Sequence, residues 1–343
     1  MLPSPARLRM LFGAAAGPTI GFGHLVRVRS LARALGVAPM VALHGTAATR
    51  RQATAAGWRV VDVRADEDVR RLRLDLLVID DPSSVRVQAW VQRARRLGVP
   101  VATVHDLGIA AVESDLLIDG TVAPRRDVCG RCETLLGPRY AILDPAIRAM
   151  RGGRPRTSSP HVLIALGGGR TAGIAAGLAN AIARRVEDVE IRVASGFVGG
   201  RRPALARGVW IDVKDGLASE LASASVAVIA GGVTLYEACA LGVPAVAVAL
   251  GPGQRRTIGA IARAGAAIDG GRLPIPLSAG FTGRVAREVE RLLADASVRR
   301  RLAVKGRELV DGLGAFRVAD RLCRLPAAAA ARRPQRLSRR VSS

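Results

Sequence analysis

At 343 residues the chain is longer than one hydrophobic core usually serves, and at about 100 to 200 residues per domain it divides into two. With 49% apolar and 23% charged residues its body is a packed globule and not a disordered chain, and no run reaches the ~18 uninterrupted apolar residues of a membrane span. The net charge of +24 is almost all Arg, spread along nearly every segment with only 3% aromatics, which argues against the one-sided basic patch and stacking rings of a nucleic-acid binder. Peripheral contact with anionic lipid is compatible with that charge.

Arg7 and Arg9 before the apolar run at 10–16 loosely mimic a secretion signal, but the run is short and reads better as a first buried strand entering a glycine loop. Residues 25–35 are apolar at 25, 28, 31, 32 and 35, with Arg27, Arg29 and Arg33 between them, the period of an amphipathic helix. Apolar runs at 40–43, 59–63, 76–79, 99–104 and 116–118 predict strands, separated by helical segments such as 85–97. Strands alternating with helices make a parallel sheet covered on both faces.

Four cysteines, Cys129, Cys132, Cys239 and Cys323, are too few to staple so long a chain, the usage of a reducing, cytoplasmic compartment. Cys129 and Cys132 have half the spacing of a zinc site, but no second pair and no nearby His complete it, so the pair reads as a loop and no metal is expected.

At 151–160 the periodicity gives way to Gly, Pro, Ser and Arg, the composition of a linker. The alternation then restarts, with strands predicted at 162–166, 190–194, 209–213, 226–230 and 245–249 and helices at 172–186, 217–222 and 234–241. Helices follow near 257–264 and 282–294 and continue to about 325. Residues 326–343 carry Arg332, Arg333, Arg336, Arg339 and Arg340 without an acid and are expected to be disordered. The predicted organisation is a domain over 1–150, the linker, a second α/β domain over 161–325, and a basic tail.

Three glycine turns follow strands. In the first, Gly21 and Gly23 let the backbone approach a ligand, and His24 stands at the entrance of the following helix with Arg27 one turn on. A helix N-terminus disfavours imidazolium, so His24 is expected to be neutral and able to accept a proton, although a buried or capping His is the alternative. The second turn, Gly167, Gly168 and Gly169 before Arg170 and Thr171, offers N–H groups to a diphosphate, with Thr171 able to cap the helix or reach a phosphate oxygen. It lacks the full dinucleotide spacing and a P-loop Lys. In the third, Gly231 and Gly232 precede Thr234 and Glu237, a carboxylate placed to accept the hydroxyls of a ribose or simply to complement the helix dipole. Asp80 and Asp81 end one strand and His105 and Asp106 another, at the edge where open sheets bind ligands; caps or structural pairs are equally open. His44 and His161 read as surface or packing residues.

The segment from Gly21 to Arg27, the stretch 135–140, the turn at 167, residues 231–237 with the following 240–244, and the segment 306–312 resemble, in order and spacing over roughly 10–325, the PseG/SpsG family of UDP-sugar hydrolases and spore-coat polysaccharide proteins, related to MurG-like GT-B glycosyltransferases. The resemblance implies an α/β GT-B architecture in which two Rossmann-like domains face a cleft. In it UDP would lie on the second domain, with Gly168, Gly169, Gly232 and Thr234 at the diphosphate, Glu237 at the ribose and Gln254 nearby, and His24 would match the catalytic His reaching the sugar from the first domain. Asp80 and Asp106 would be on the sugar side. It implies no metal and no cofactor. The chain departs from the family pattern at Gly13 and Ala15 in the first strand, where Arg and Asp are common, and at Pro82 and Val85, which replace an aromatic and a second acid. Gly169 with Arg170 replaces Ser-Asp, and Gly253 replaces Asn. The activity expected is hydrolysis of a UDP-activated amino or deoxy sugar with inversion; the alternatives are transfer of that sugar to an acceptor and a silent nucleotide-sugar binding module.

Overall fold

The computed structural model describes residues 8–17, 20–105, 112–124, 132–151, 160–167, 171–196, 202–213 and 216–331, with side chains to 328. Gly168, Gly169, Asp106 and Cys129, most of the predicted linker and the tail beyond 331 lie outside the described residues.

The first sheet has seven strands, β1 (Met10–Ala16), β2 (Met40–Gly45), β3 (Arg59–Val61), β4 (Leu76–Asp80), β5 (Val101–Val104), β6 (Leu116–Asp119) and β7 (Glu133–Leu136). They run in the order β3-β2-β1-β4-β5-β6-β7, every pairing parallel. Helices α1 (Gly23–Leu35), α2 (Ala47–Ala55), α3 (Asp66–Leu72) and α4 (Ser84–Leu97) cross between them, and α5 (Pro145–Met150) leads out. The second sheet holds β8 (His161–Ala165), β9 (Glu190–Ala194), β10 (Val209–Ile211), β11 (Val226–Ala230), β12 (Ala245–Ala249) and β13 (Ile268–Arg272), in the order β10-β9-β8-β11-β12-β13 and again parallel. Its helices are α6 (Ala172–Ala183), α7 (Ala218–Ser223), α8 (Val233–Leu241), α9 (Pro252–Arg263), α10 (Ala279–Ala294) and α11 (Ala296–Leu309), and α12 (Gly314–Ala331) follows them in the chain.

Both sheets are buried on both faces, as continuous apolar strands require. In the first, Phe12, Ala14 and Val78 share a core with Val28, Leu31 and Leu35 of α1, whereas Leu11, Leu77 and Ile79 point to the opposite core with Val87 and Val91 of α4. Strand order reverses between β1 and β4 in one sheet and between β8 and β11 in the other. Loops leaving neighbouring strands there turn to opposite faces and open a crevice.

The chain crosses between the two bodies in two places. Along 141–143 alternate residues serve different cores: Ile142 packs into the first, Ala141 and Leu143 into the second, followed there by Ile147 of α5. At the other end α12 returns, and Ala315, Val318, Ala319 and Leu322 pack against the core shared with α1. The domain limits therefore differ from those predicted, since 145–150 pack with the second body and 315–325 with the first. Residues 326–331, predicted to be disordered, extend α12 through Pro326. The helical pattern of 315–325 looks alike whichever body it covers, so only the docked partner distinguishes them.

Strands β7 and β13 were not foreseen. Both are edge strands with half-buried patterns, and β13 carries adjacent glycines and a register shift opposite β12, so neither shows the apolar run that marks a central strand. His161 is fully buried and His44 exposed. Cys132 is disulfide-bonded, which reading its segment as a plain loop did not anticipate, while Cys239 and Cys323 are free and buried. No helix among the described residues is long and apolar enough to cross a membrane.

Where the crossings meet, backbones touch. A Cβ on Gly314 would stand 2.1 Å from the carbonyl oxygen of Ala141, and one on Gly120 would stand 2.7 Å from that of Tyr140. Gly314→Ala is expected to destabilise the protein by about 1 to 3 kcal/mol through overpacking against backbone that cannot yield. Gly232→Ala, which meets nothing within 4 Å, is the comparison that should leave the ligand-free melting temperature nearly unchanged.

Candidate active site

The two switch points face one cleft of about 750 Å³, lined from both bodies. Backbone bonds between Gly17 and Gly21 close the turn after β1, with Gly21 at φ 88°, a left-handed conformation that favours glycine. The chain then enters α1, and His24, its second residue, is 9% exposed and lines the cleft.

Behind His24 lies Asp80, the last residue of β4, on the sheet face that α1 covers and 2% exposed. His24 and Arg27 share one face of α1 by their spacing of three, and both reach this carboxylate. His24 Nδ1 is 2.7 Å from Asp80 Oδ1; Arg27 donates from Nη2 to Oδ1 at 2.6 Å and from Nε to Oδ2 at 2.8 Å. Burial would raise the Asp80 pKa, but the charges and hydrogen bonds of Arg27 and His24 outweigh it and hold the carboxyl well below the usual carboxylate range. An ionised carboxylate only accepts, so Nδ1 must carry a hydrogen, and in the neutral ring Nε2 is the nitrogen left with the lone pair. The 2.9 Å approach of Arg27 Nη2 to Nδ1 then reflects two donors converging on one oxygen.

Asp80 is thus not among the residues lining the cleft, although a sugar-side position was expected of it, and Arg27, which lines the cleft beside His24, is engaged with Asp80. Asp81 points elsewhere, accepting Arg86 through both oxygens at 2.7 Å and the Ser83 N–H at 2.8 Å, a local cap at the start of α4.

Across the cleft the two glycines after β11 differ. A Cβ at Gly231 would meet Ile258 at 2.8 Å, so glycine is needed there for packing against α9. At Gly232 it would meet nothing, and that free space belongs to the cleft. Thr234 and Gln254 line the same wall; Gln254 Oε1 accepts from Leu250 N–H at 2.9 Å, which leaves the amide N–H₂ for a ligand. Thr171 begins α6 without capping it through its side chain and also lines the cleft.

Glu237, one turn into α8, lines the cleft and is 7% exposed. Burial raises its carboxyl to about 7, with Asp144 adding to the rise and Arg29 opposing it. The periodicity of α1 marks Arg29 only as a polar position. Folding carries it across the cleft, its Nη2 3.3 Å from where a Cβ of Gly216 would stand. Tyr236, likewise not singled out, accepts the Val122 N–H at 3.1 Å through its hydroxyl and ties the two bodies together beside the site. Among the described residues no group of three or more His, Cys, Asp or Glu could hold a metal ion.

An acid held above its ordinary 4.5 binds its proton more tightly folded than unfolded. Glu237 therefore adds to stability as pH falls from about 7 towards 4.5, and above about 7 its buried charge costs the fold about 3 kcal/mol. Glu237→Gln should raise the ligand-free melting temperature near pH 8 and leave it almost unchanged near pH 5, which paired thermal melts would check.

No protein-family model matches the chain. It is 26% identical over 322 residues to the spore coat polysaccharide biosynthesis protein SpsG of Bacillus subtilis (strain 168), covering 87% of this chain and 93% of that one. The spinosyn forosaminyltransferase SpnP has the same fold, with a TM-score of 0.66 at 19% identity over 94% of this chain and all of that one. So does Acinetobacter baumannii MurG, with 0.59 at 16% identity over 91% and 99%. The spinosyn rhamnosyltransferase SpnG, solved with thymidine diphosphate, gives 0.59 at 18% identity over 91% and 99%. The ordered glycine turns, the paired parallel sheets and these likenesses agree: the chain has the two-domain GT-B fold and is similar in sequence to SpsG over most of its length.

Proposed function

We propose that this protein cleaves the anomeric C–O bond of a UDP-activated amino or deoxy sugar and releases UDP, in the cytoplasmic assembly of a surface polysaccharide or nonulosonic acid. The observation that carries the proposal is the His24–Asp80 pair on one wall of a cleft whose other wall is built from Gly231, Gly232, Thr234 and Glu237. The name of SpsG places that relative in polysaccharide biosynthesis, and SpnG was solved with a nucleoside diphosphate, both of which support a nucleotide-sugar substrate.

In this reading the diphosphate lies against the open space at Gly232 and the start of α8, where backbone N–H groups favour an anion. Arg29 brings positive charge to the same cleft, and Glu237 receives the ribose hydroxyls. Water approaches the anomeric carbon from the side of His24. As its oxygen bonds to that carbon, the proton passes to Nε2 and the C–O bond to the diphosphate breaks, its electrons leaving with UDP. Asp80 keeps the ring in the reactive tautomer and stabilises the imidazolium as it forms. A single displacement inverts the anomeric configuration.

Transfer of the sugar to an acceptor hydroxyl needs the same base and the same leaving group, and the transferases SpnP, SpnG and MurG share this fold. Supplying nucleotide sugar without acceptor separates the two: prompt stoichiometric UDP and free sugar support hydrolysis, and release that waits for acceptor supports transfer. His24→Asn is expected to keep UDP binding, read as a thermal shift, while turnover falls about 10² to 10⁴-fold. Absence of turnover in the parent protein with every sugar offered, with UDP still bound, would leave a binding module.

A further inference from the structure

The mechanism leaves one ring in the cleft wall without a task. His105 follows β5, is 5% exposed and lines the cleft on the side of His24. Its backbone N–H donates to Ile118 at 2.7 Å, which fixes the residue at the end of the sheet.

The tautomer of this ring is set by hydroxyls behind it. Ser114 Oγ donates to the carbonyl oxygen of Leu116 at 3.0 Å, so in its 2.7 Å contact with Thr103 Oγ1 it must accept. Thr103 has then given its single proton, and in its 3.0 Å contact with His105 Nε2 it too must accept. The ring hydrogen is therefore on Nε2, and Nδ1 holds a lone pair. Burial lowers the pKa of this imidazole against the opposing charges of Asp119 and Asp80, which favours the neutral ring. Nδ1 is buried and has no hydrogen-bond partner among the described residues. A buried acceptor without a donor is uncommon, because its desolvation goes uncompensated until a donor arrives.

We propose that His105 Nδ1 accepts a hydrogen bond from a hydroxyl or amide N–H of the sugar held in the cleft, and so helps to select which sugar is bound. A lone pair repels diphosphate oxygens, which only accept, so the partner this nitrogen lacks is a donor. The inference rests on the nucleotide-sugar reading and deepens it.

The test titrates the parent protein, His105→Phe and Thr103→Val with UDP, UDP-N-acetylglucosamine and UDP-glucose, following affinity and the imidazole nitrogen resonances. The ligand-free spectrum should show His105 protonated on Nε2, and its Nδ1 resonance should move with a nucleotide sugar but not with UDP. His105→Phe should bind UDP as the parent does and a nucleotide sugar about 3- to 10-fold more weakly. Thr103→Val, which removes the partner of Nε2, should mix the tautomers and weaken sugar binding selectively, and it carries the test if the Phe variant fails to fold. An Nδ1 resonance unmoved by both sugars, equal affinities in parent and variants, or a ligand-free ring protonated on Nδ1 would overturn the proposal. Failure of UDP to bind the parent, with the tautomer as stated, would overturn the nucleotide reading instead.

Discussion

The site depends on keeping one carboxylate charged inside the fold. Asp80 closes a central strand where water is excluded, and an isolated carboxylate there would take up a proton. Arg27 and His24 supply the compensating donors, and both come from the first two turns of the helix that covers that face of the sheet. The same bonds that make the buried charge tolerable orient the imidazole, so the stability of this corner and the readiness of His24 Nε2 have a common origin. Loss of Arg27 would leave that charge uncompensated, the situation in which buried pairs are strongly destabilised.

The second wall works by different means. Its turns hold glycine for two separate reasons, packing against α9 at Gly231 and open space at Gly232. Its acid, Glu237, lies near neutrality because the field around it is mixed, with burial and Asp144 opposed by Arg29 from the other body. A ligand bridging the walls would change that balance, so occupancy of the cleft and the charge on Glu237 are linked.

The walls are held in relation by a seam that does little chemistry. Residues 141–143 alternate between two cores, α12 returns to the first body, and the close backbone contact of Gly314 with Ala141 leaves no room for a side chain. The Tyr236 hydroxyl adds a polar tie beside the cleft. The departures from the family pattern fit this packing in part: a Cβ at Gly13 would stand 2.8 Å from Ile79 and 3.3 Å from Trp90, so a side chain there would have to displace both. Nothing in the structure explains Val85, which is 79% exposed.

The sequence by itself determined the two α/β bodies, the central strands, the amphipathic face of α1 and the three glycine turns, because apolar period and glycine spacing are local properties that survive without knowledge of partners. His24 was legible for the same reason, standing between glycines and a helix. Only the tertiary structure decided that Asp80, 56 residues away, stands behind that imidazole, that Arg29 crosses the cleft, that Thr103 and Ser114 set the tautomer of His105, and that the last helix belongs with the first domain. The spacing of His24 and Arg27 and an acid ending an apolar strand were signals of the first of these. The pairing itself follows from strand order, which brings β4 beside β1 and which no periodicity along the chain encodes.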